Sequence, residues 1–246
     1  MGDVKIDVLG VRFDAFTMES ALDRAKAWLC DPKPRFAVTP NAEITFAAQK
    51  DASLRDTLNA ADMVLADGVG VVKAAKRLGR PLPGRLPGVE FAQALLAVME
   101  EKGKSLYLLG GKPGVARAAA DRVKGTHPAL RVSGVRDGYY EDESAVTRHI
   151  RECAPDVIFV CLGAPKQEMW MGRNLENVGP ALMLGLGGTV DILAGKTKRA
   201  PAIFRRLGLE WLYRVAFHPS RWARAMKLPR FMLAVRRQRR RAKNGV

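Results

Sequence analysis

Two short runs, Val157–Leu162 and Ala181–Leu186, are apolar without interruption. A strand with one wet face alternates apolar and polar residues, so an unbroken run reads as a strand covered on both faces. Strands of that kind belong to parallel sheets held between two layers of helices. Val4–Leu9, Phe36–Thr39, Met63–Ala66, Ser105–Leu109 and Arg131–Val135 add further strand candidates. Helical sequence falls between them. Thr17 can cap a helix through Leu29, with Glu19 favourable in its first turn. Helices are predicted from about Ala42 to Ala60, over Gly70–Leu78 and Gly88–Lys102, and from Pro113, a residue suited to a first turn. Glu143–Cys153 and Pro165–Leu175 complete the set. The alternation predicts an α/β fold with a mostly parallel sheet.

The pattern changes after Ala194. Three short helices are predicted, over Arg205–Phe217, Ser220–Met226 and Pro229–Arg241, with no strands between them. A boundary is placed near Gly195, giving an α/β body over 1–195 and an appendage over 196–246. Charge divides at the same place. From Lys196 to Val246 there are sixteen Lys/Arg and one acid, Glu210, whereas the body is nearly balanced. Phe204, Leu207, Trp211, Leu212, Val215 and Trp222 are interleaved with Arg205, Arg206, Arg214, Arg221 and Arg224. This is the pattern of a basic amphipathic helix. It suits an anionic membrane surface or the phosphates of a nucleic acid, and an arginine there can also hold a diphosphate bidentately.

Composition excludes some classes. A hydrophobic fraction of 48% and a charged fraction of 27% are ordinary for a folded protein of 246 residues. Cys30, Cys153 and Cys161 are odd in number and lack CxxC spacing, which argues against disulfides and structural zinc and favours a reducing compartment. Met1–Lys5 shows no basic patch leading into an apolar stretch, so no signal peptide is expected. The longest uncharged apolar stretch, near Val178–Val190, is shorter than the roughly 20 residues of a membrane span. A chain like this lies on a membrane if it meets one. His127, His149 and His218 have no ligand spacing, and Glu141-Asp142-Glu143 reads as a solvated helix start, so no metal site is expected.

Ligands of open α/β sheets bind outside the carboxyl ends of the strands. Thr39-Pro40-Asn41, Ala66-Asp67-Gly68-Val69-Gly70, Gly110-Gly111, Gly163–Glu168 and Gly187–Asp191 each follow a predicted strand. Asp67, between an apolar strand and two glycines, suits a partly desolvated general base; a turn or cap aspartate is the alternative. Thr39 and Asn41 can face it and orient a hydroxyl, or serve the turn itself. Gly110-Gly111 ahead of a helix can bring amides to a phosphate, or form a plain strand-to-helix turn. Neither that pair nor Gly185-Leu186-Gly187-Gly188 completes a phosphate-loop or dinucleotide fingerprint. Lys166 and Gln167 can reach a sugar or phosphate, or simply open a helix. Tyr139 or Tyr140 can stack on a nucleobase, and Asp191 can accept the imide N–H of uracil.

The five segments quoted above, in this order, with Arg199-Ala200-Pro201 and then Leu209–Arg214, resemble the WecG/TagA/CpsF glycosyltransferases. The resemblance runs from about Val4 to Arg224. It implies a compact Rossmann-like unit with a basic helical C-terminal appendage, of GT-E-like type. It also implies an inverting, metal-independent hexosyltransferase that needs no cofactor. The donor would be a UDP-sugar, typically UDP-N-acetylmannosamine or its uronic acid. The acceptor would be an amino sugar on a polyprenyl diphosphate, at the inner face of the plasma membrane, in cell-surface polysaccharide synthesis. By the resemblance Asp67 would be the base, with Thr39, Asn41 and Gln167 positioning substrate. Gly110, Gly111, Tyr139, Lys166, Gly187, Gly188 and Asp191 would line the substrate crevice, and Arg214, Arg221 and Arg224 would fold over it. Transfer of glucose is the alternative within the family. A nucleic-acid-binding protein and a dinucleotide-dependent oxidoreductase are the alternatives outside it. The oligomeric state stays open.

Overall fold

The apolar runs pair as their composition requires. The computed structural model describes residues 4–197, 199–201, 204 and 227–243. Among them β3 (Arg35–Val38), β4 (Met63–Val64), β5 (Ser105–Gly110), β6 (Arg131–Arg136), β7 (Val157–Cys161) and β8 (Leu182–Gly185) form one sheet in the order β4-β3-β8-β7-β5-β6. Every pairing is parallel. All residues of β5 and β7 are buried. Leu106, Leu108, Phe159 and Leu184 turn to one core, and Tyr107, Leu109, Ile158 and Val160 to the other. Two covered faces explain why these strands show no alternation.

On the first face lie α1 (Met18–Trp28), α5 (Gly88–Glu101), α6 (Val115–Thr126) and α9 (Thr189–Leu193). On the second lie α2 (Ala42–Ala47), α3 (Ala52–Ala60), α4 (Val69–Arg77), α7 (Glu143–Cys153) and α8 (Lys166–Asn174). Thr17 caps α1 as predicted, accepting from Ser20 N at 3.2 Å. The single helix predicted over Ala42–Ala60 is two. Asp51 starts the second by accepting from Leu54 N at 3.0 Å. The helix predicted from Pro113 begins at Val115, after Gly114 at φ 81°.

One strand escapes the sequence reading. The predicted first strand is β1 (Lys5–Val8), paired antiparallel with β2 (Val11–Asp14). Leu9 and Gly10 join them at φ 57° and 87°, positive at both central positions as a type I′ turn demands. Asp14, 2% exposed, accepts from Val64 N at 2.7 Å and pairs with Lys5. The hairpin thereby covers the edge strand β4, which would otherwise leave amide groups unpaired.

The predicted Pro229–Arg241 helix spans Lys227–Lys243, and we call it the terminal helix. Its Phe231 and Val235 are fully buried in the second core, beside α2 and α4. Gln238 ties it to the hairpin, accepting from Leu9 N at 3.0 Å and donating to Asp7. The helices predicted over 205–217 and 220–226 lie outside the described residues, as do Arg214, Arg221 and Arg224. Among the described residues no helix is long and apolar enough to cross a membrane.

Candidate active site

Six parallel strands put six carboxyl ends on one edge, and the predicted strand-end segments all fall there. The chain moves outward from β3 to β4 on one side and from β5 to β6 on the other. β7 and β8 fill the space between. A crevice at such a reversal is where open α/β sheets take their ligands.

Around β3, β4 and β8 the polar groups converge. Asp67, half-buried, accepts from Gly88 N at 3.3 Å. Gly88 opens α5, whose N-cap is Pro87 and has no side-chain cap. A Cβ on Gly88 would lie 3.1 Å from Thr39 Oγ1 and 3.3 Å from Leu186. Asp67, Thr39 and Leu186 therefore meet around one backbone position. Thr39 Oγ1 donates to Gly185 O at 2.8 Å, and its oxygen keeps acceptor capacity. Gly68, next to Asp67, holds φ 106° and opens α4, again without a side-chain cap. The N-termini of α4 and α5, neither capped by its own N-cap side chain, thus flank the carboxylate; Asp67 itself takes the first amide of α5, and the other amides favour an anion beside it. Asn41 adjoins Gly68, but its Oδ1 caps α2, accepting from Glu43 N at 2.8 Å and Ile44 N at 3.1 Å.

Around β5, β6 and β7 the same edge is built for backbone packing. A Cβ on Gly110 would sit 2.2 Å from Cys161 O. Gly111 N donates to that carbonyl at 3.3 Å, and Gly111 O accepts from Gly138 N at 2.9 Å. The Gly111 amide is thus engaged by a neighbouring strand. Lys166 Nζ donates to Gly138 O at 3.3 Å and lies 5.0 Å from the Tyr140 ring centre. Burial, helped by the Glu143 charge, pushes the Tyr140 hydroxyl up to about 12. Tyr139 is 71% exposed and stands in solvent. Gly187 (φ 55°) has open space where a Cβ would go, and Asp191 Oδ2 lies 3.8 Å from a Cβ placed on Gly188.

Gln167 belongs to the support beneath the crevice. It is 3% exposed; its Oε1 accepts from Gly187 N at 2.8 Å and its Nε2 donates to Glu168 Oε1 at 2.9 Å. Glu168 is fully buried, and among the described residues its other oxygen has no hydrogen-bond partner. Burial holds this carboxyl above the usual carboxylate range, against the opposing hydrogen bond from Gln167. The chain Glu168–Gln167–Gly187 fixes the start of the Gly187–Asp191 turn. The sequence reading gave Glu168 no site role, because an acid in a helix first turn looks solvated. It also gave Arg199 no partner. Arg199 Nη2 reaches Glu90 Oε1 at 2.7 Å on α5, two residues after Gly88. The segment entering the basic tail is thereby fixed beside Asp67, and the tail returns there: a Cβ on Gly70 would lie 3.3 Å from Leu228 of the terminal helix. Among the described residues no three His, Cys, Asp or Glu side chains gather to hold a metal ion.

The molecule is a Rossmann-like α/β protein with a carboxylate at the carboxyl edge of its parallel sheet. The sequence model of the glycosyl transferase WecG/TagA/CpsF family matches residues 6–245, and the chain belongs to that family. It is 36% identical over 245 residues to the N-acetylglucosaminyldiphosphoundecaprenol N-acetyl-beta-D-mannosaminyltransferase of Staphylococcus aureus, covering 98% of this chain and 96% of that one. The Bacillus subtilis protein of the same name is 37% identical over 198 residues, 80% of this chain and 77% of that one. That of Bacillus spizizenii is 36% identical over 208 residues, 85% and 81% respectively. The family resemblance read from the sequence is borne out, and the chain is a glycosyltransferase. The match includes the basic tail, so tail and body form one family unit.

Proposed function

We propose that the chain transfers N-acetylmannosamine, or its uronic acid, from a UDP-sugar to an amino sugar carried on a polyprenyl diphosphate. The similar proteins are named for mannosaminyl transfer to such an acceptor. The observation that carries the reading is Asp67 beside Thr39 and Gly88, between the N-termini of α4 and α5. In this reading the acceptor hydroxyl oxygen attacks the anomeric carbon, and Asp67 takes its proton. The bond from that carbon to the UDP oxygen breaks on the opposite face, UDP leaves with the electron pair, and the configuration inverts. Helix N-terminal amides supply preorganised positive potential for the departing diphosphate without a metal. Arg214, Arg221 and Arg224 add to it, a role supported by both ends of their segment being anchored near Asp67. Thr39 and Asn41 orient sugar hydroxyls. Gln167 acts through the Gly187 turn. The basic tail holds the enzyme at the inner face of the plasma membrane, where its lipid-linked acceptor lies, and the product enters cell-surface polysaccharide.

The test is a panel of UDP-sugars, UDP-glucose included, offered with a short-chain prenyl-diphosphate amino sugar and read by mass spectrometry. Mannosaminyl transfer is expected. Transfer of glucose alone would reassign the donor, and retention of NAD with no UDP-sugar turnover would overturn the reading. Asp67→Asn is expected to fold and bind UDP while losing at least about a hundredfold in transfer, the low end for a general base. Undiminished turnover would remove Asp67 from that role.

A further inference from the structure

A cluster of cations with no assigned role lies away from the crevice. α4 starts at the crevice with Gly68 and ends about 13 Å away with Arg77, at 1.5 Å per residue. Beside that far end lies a cleft of about 700 Å³ lined by Lys73, Lys76, Arg77 and Arg239. The first three come from α4 and the last from the terminal helix. All four are exposed, and among the described residues no carboxylate pairs with any of them. Lys76 and Arg77 complement the carbonyl end of α4. That accounts for two cations and leaves Lys73 and Arg239 unexplained.

The cleft is held rigidly. Phe231 and Val235 are fully buried against the body, and Gln238, the neighbour of Arg239, is bonded to both Leu9 and Asp7. The helix turn that carries Arg239 is therefore held opposite α4. Like charges held together without counter-charges repel, and a bound anion relieves that repulsion.

The outward stripe of the terminal helix identifies the anion's carrier. Leu233 is 52% exposed. Arg230, Arg237 and Arg240, all exposed, stand three residues before it and four and seven after it, on the same helical face. An apolar side chain ringed by arginines matches the boundary between acyl chains and headgroups. A soluble phosphate would leave that side chain in water.

We infer that α4 and the terminal helix together form a binding groove for the phosphodiester of an anionic phospholipid headgroup. The membrane contact then includes the catalytic body through α4. The inference rests on the membrane-surface part of the proposed function.

The experiment measures partition of the full chain onto phosphatidylcholine vesicles with and without phosphatidylglycerol. Lys73→Glu with Arg239→Glu is compared with Lys102→Glu with Lys124→Glu. The second pair makes the same change in net charge at exposed positions on the opposite face of the sheet. The groove pair is expected to lose at least about tenfold in partition onto phosphatidylglycerol vesicles, and the control pair less than about twofold. Equal losses would reduce the groove to net charge and overturn the inference. So would displacement by inorganic phosphate at constant ionic strength, which would make the cleft a site for soluble phosphate. If the reversed pair does not fold, Lys73→Gln with Arg239→Gln makes the same comparison with a smaller expected loss, against Lys102→Gln with Lys124→Gln. Transfer to the short-chain acceptor without vesicles is measured alongside. A chain that partitions through the groove but transfers no sugar overturns the proposed function alone. A chain that transfers, and whose groove variant partitions like the wild type, overturns the groove alone.

Discussion

The two halves of the crevice look alike in sequence and differ in construction. In both, a buried strand ends in a short polar or glycine-rich segment. Around β3 and β4 that segment gathers Asp67, Thr39 and the N-termini of α4 and α5. Around β5 and β7 the glycines let two strands approach, and the Gly111 amide is engaged by Cys161. A glycine at a strand end therefore has two separate causes. One is a ligand that must come close; the other is a neighbouring backbone that already has. What a Cβ would meet distinguishes them.

The largest expected effect tests the second cause. In Gly110→Ala the new Cβ would fall 2.2 Å from Cys161 O, at a φ of 128° that other residues avoid. Overpacking and backbone strain together should cost at least about 3 kcal/mol. Thermal melting should show a drop of about 6–12 °C or more. A variant as stable as wild type would mean that packing does not require glycine there.

Next is the support beneath the crevice. Glu168→Ala removes the acceptor of Gln167 Nε2 and opens a cavity, for about 2–3 kcal/mol. Glu168→Gln keeps an acceptor in place and should retain most activity. The pH dependence has a definite sign. Burial raises the folded-state pKa of Glu168 above its unfolded value. Its contribution is therefore fully present below the ordinary carboxylate range. It falls as pH rises toward the raised folded value, and is flat above that. The melting temperature of wild type relative to Glu168→Gln should decline over that interval. A pH-independent difference would show that Glu168 is not buried as a neutral acid.

These cases show what the sequence could express. The sheet was legible because burial on both faces writes itself as unbroken apolar runs, as in Val157–Leu162. The hairpin partner Val11–Asp14 was not, because four residues with Arg12 exposed offer too short an alternation. The break between Ala47 and Ala52 was missed because Ala48-Gln49-Lys50 holds no glycine or proline. In the crevice, Asp67 and Thr39 were legible as polar residues directly after apolar strands. The inward turn of Gln167 and Glu168 was not, because it depends on where α8 settles against β8, a non-local outcome of packing.

Gly187→Ala tests the first cause. A Cβ there meets no protein atom within 4 Å, so the only cost to the fold is a left-handed φ of 55°, about 1 kcal/mol. If the Gly187 turn approaches a diphosphate, UDP-sugar affinity should fall by more than that stability loss implies, at least about tenfold. Equal and small changes in both would place the ligand elsewhere along the edge.

The smallest expected effect belongs to Tyr139. At 71% exposure its ring contributes almost nothing to the fold, and Tyr139→Ala should change stability by less than about 0.5 kcal/mol. Stacking of that ring on a uracil would be an interaction made only in the complex. Substituting Tyr139→Ala should then weaken UDP binding by about five- to tenfold in calorimetry, while Tyr139→Phe, which keeps the ring face, restores it. Unchanged affinity in both would leave Tyr139 exposed for a reason unconnected with the base. Base recognition would then fall to the Gly187–Asp191 side, where Asp191 can accept the imide N–H, and the β6 end would lose its part in the donor site.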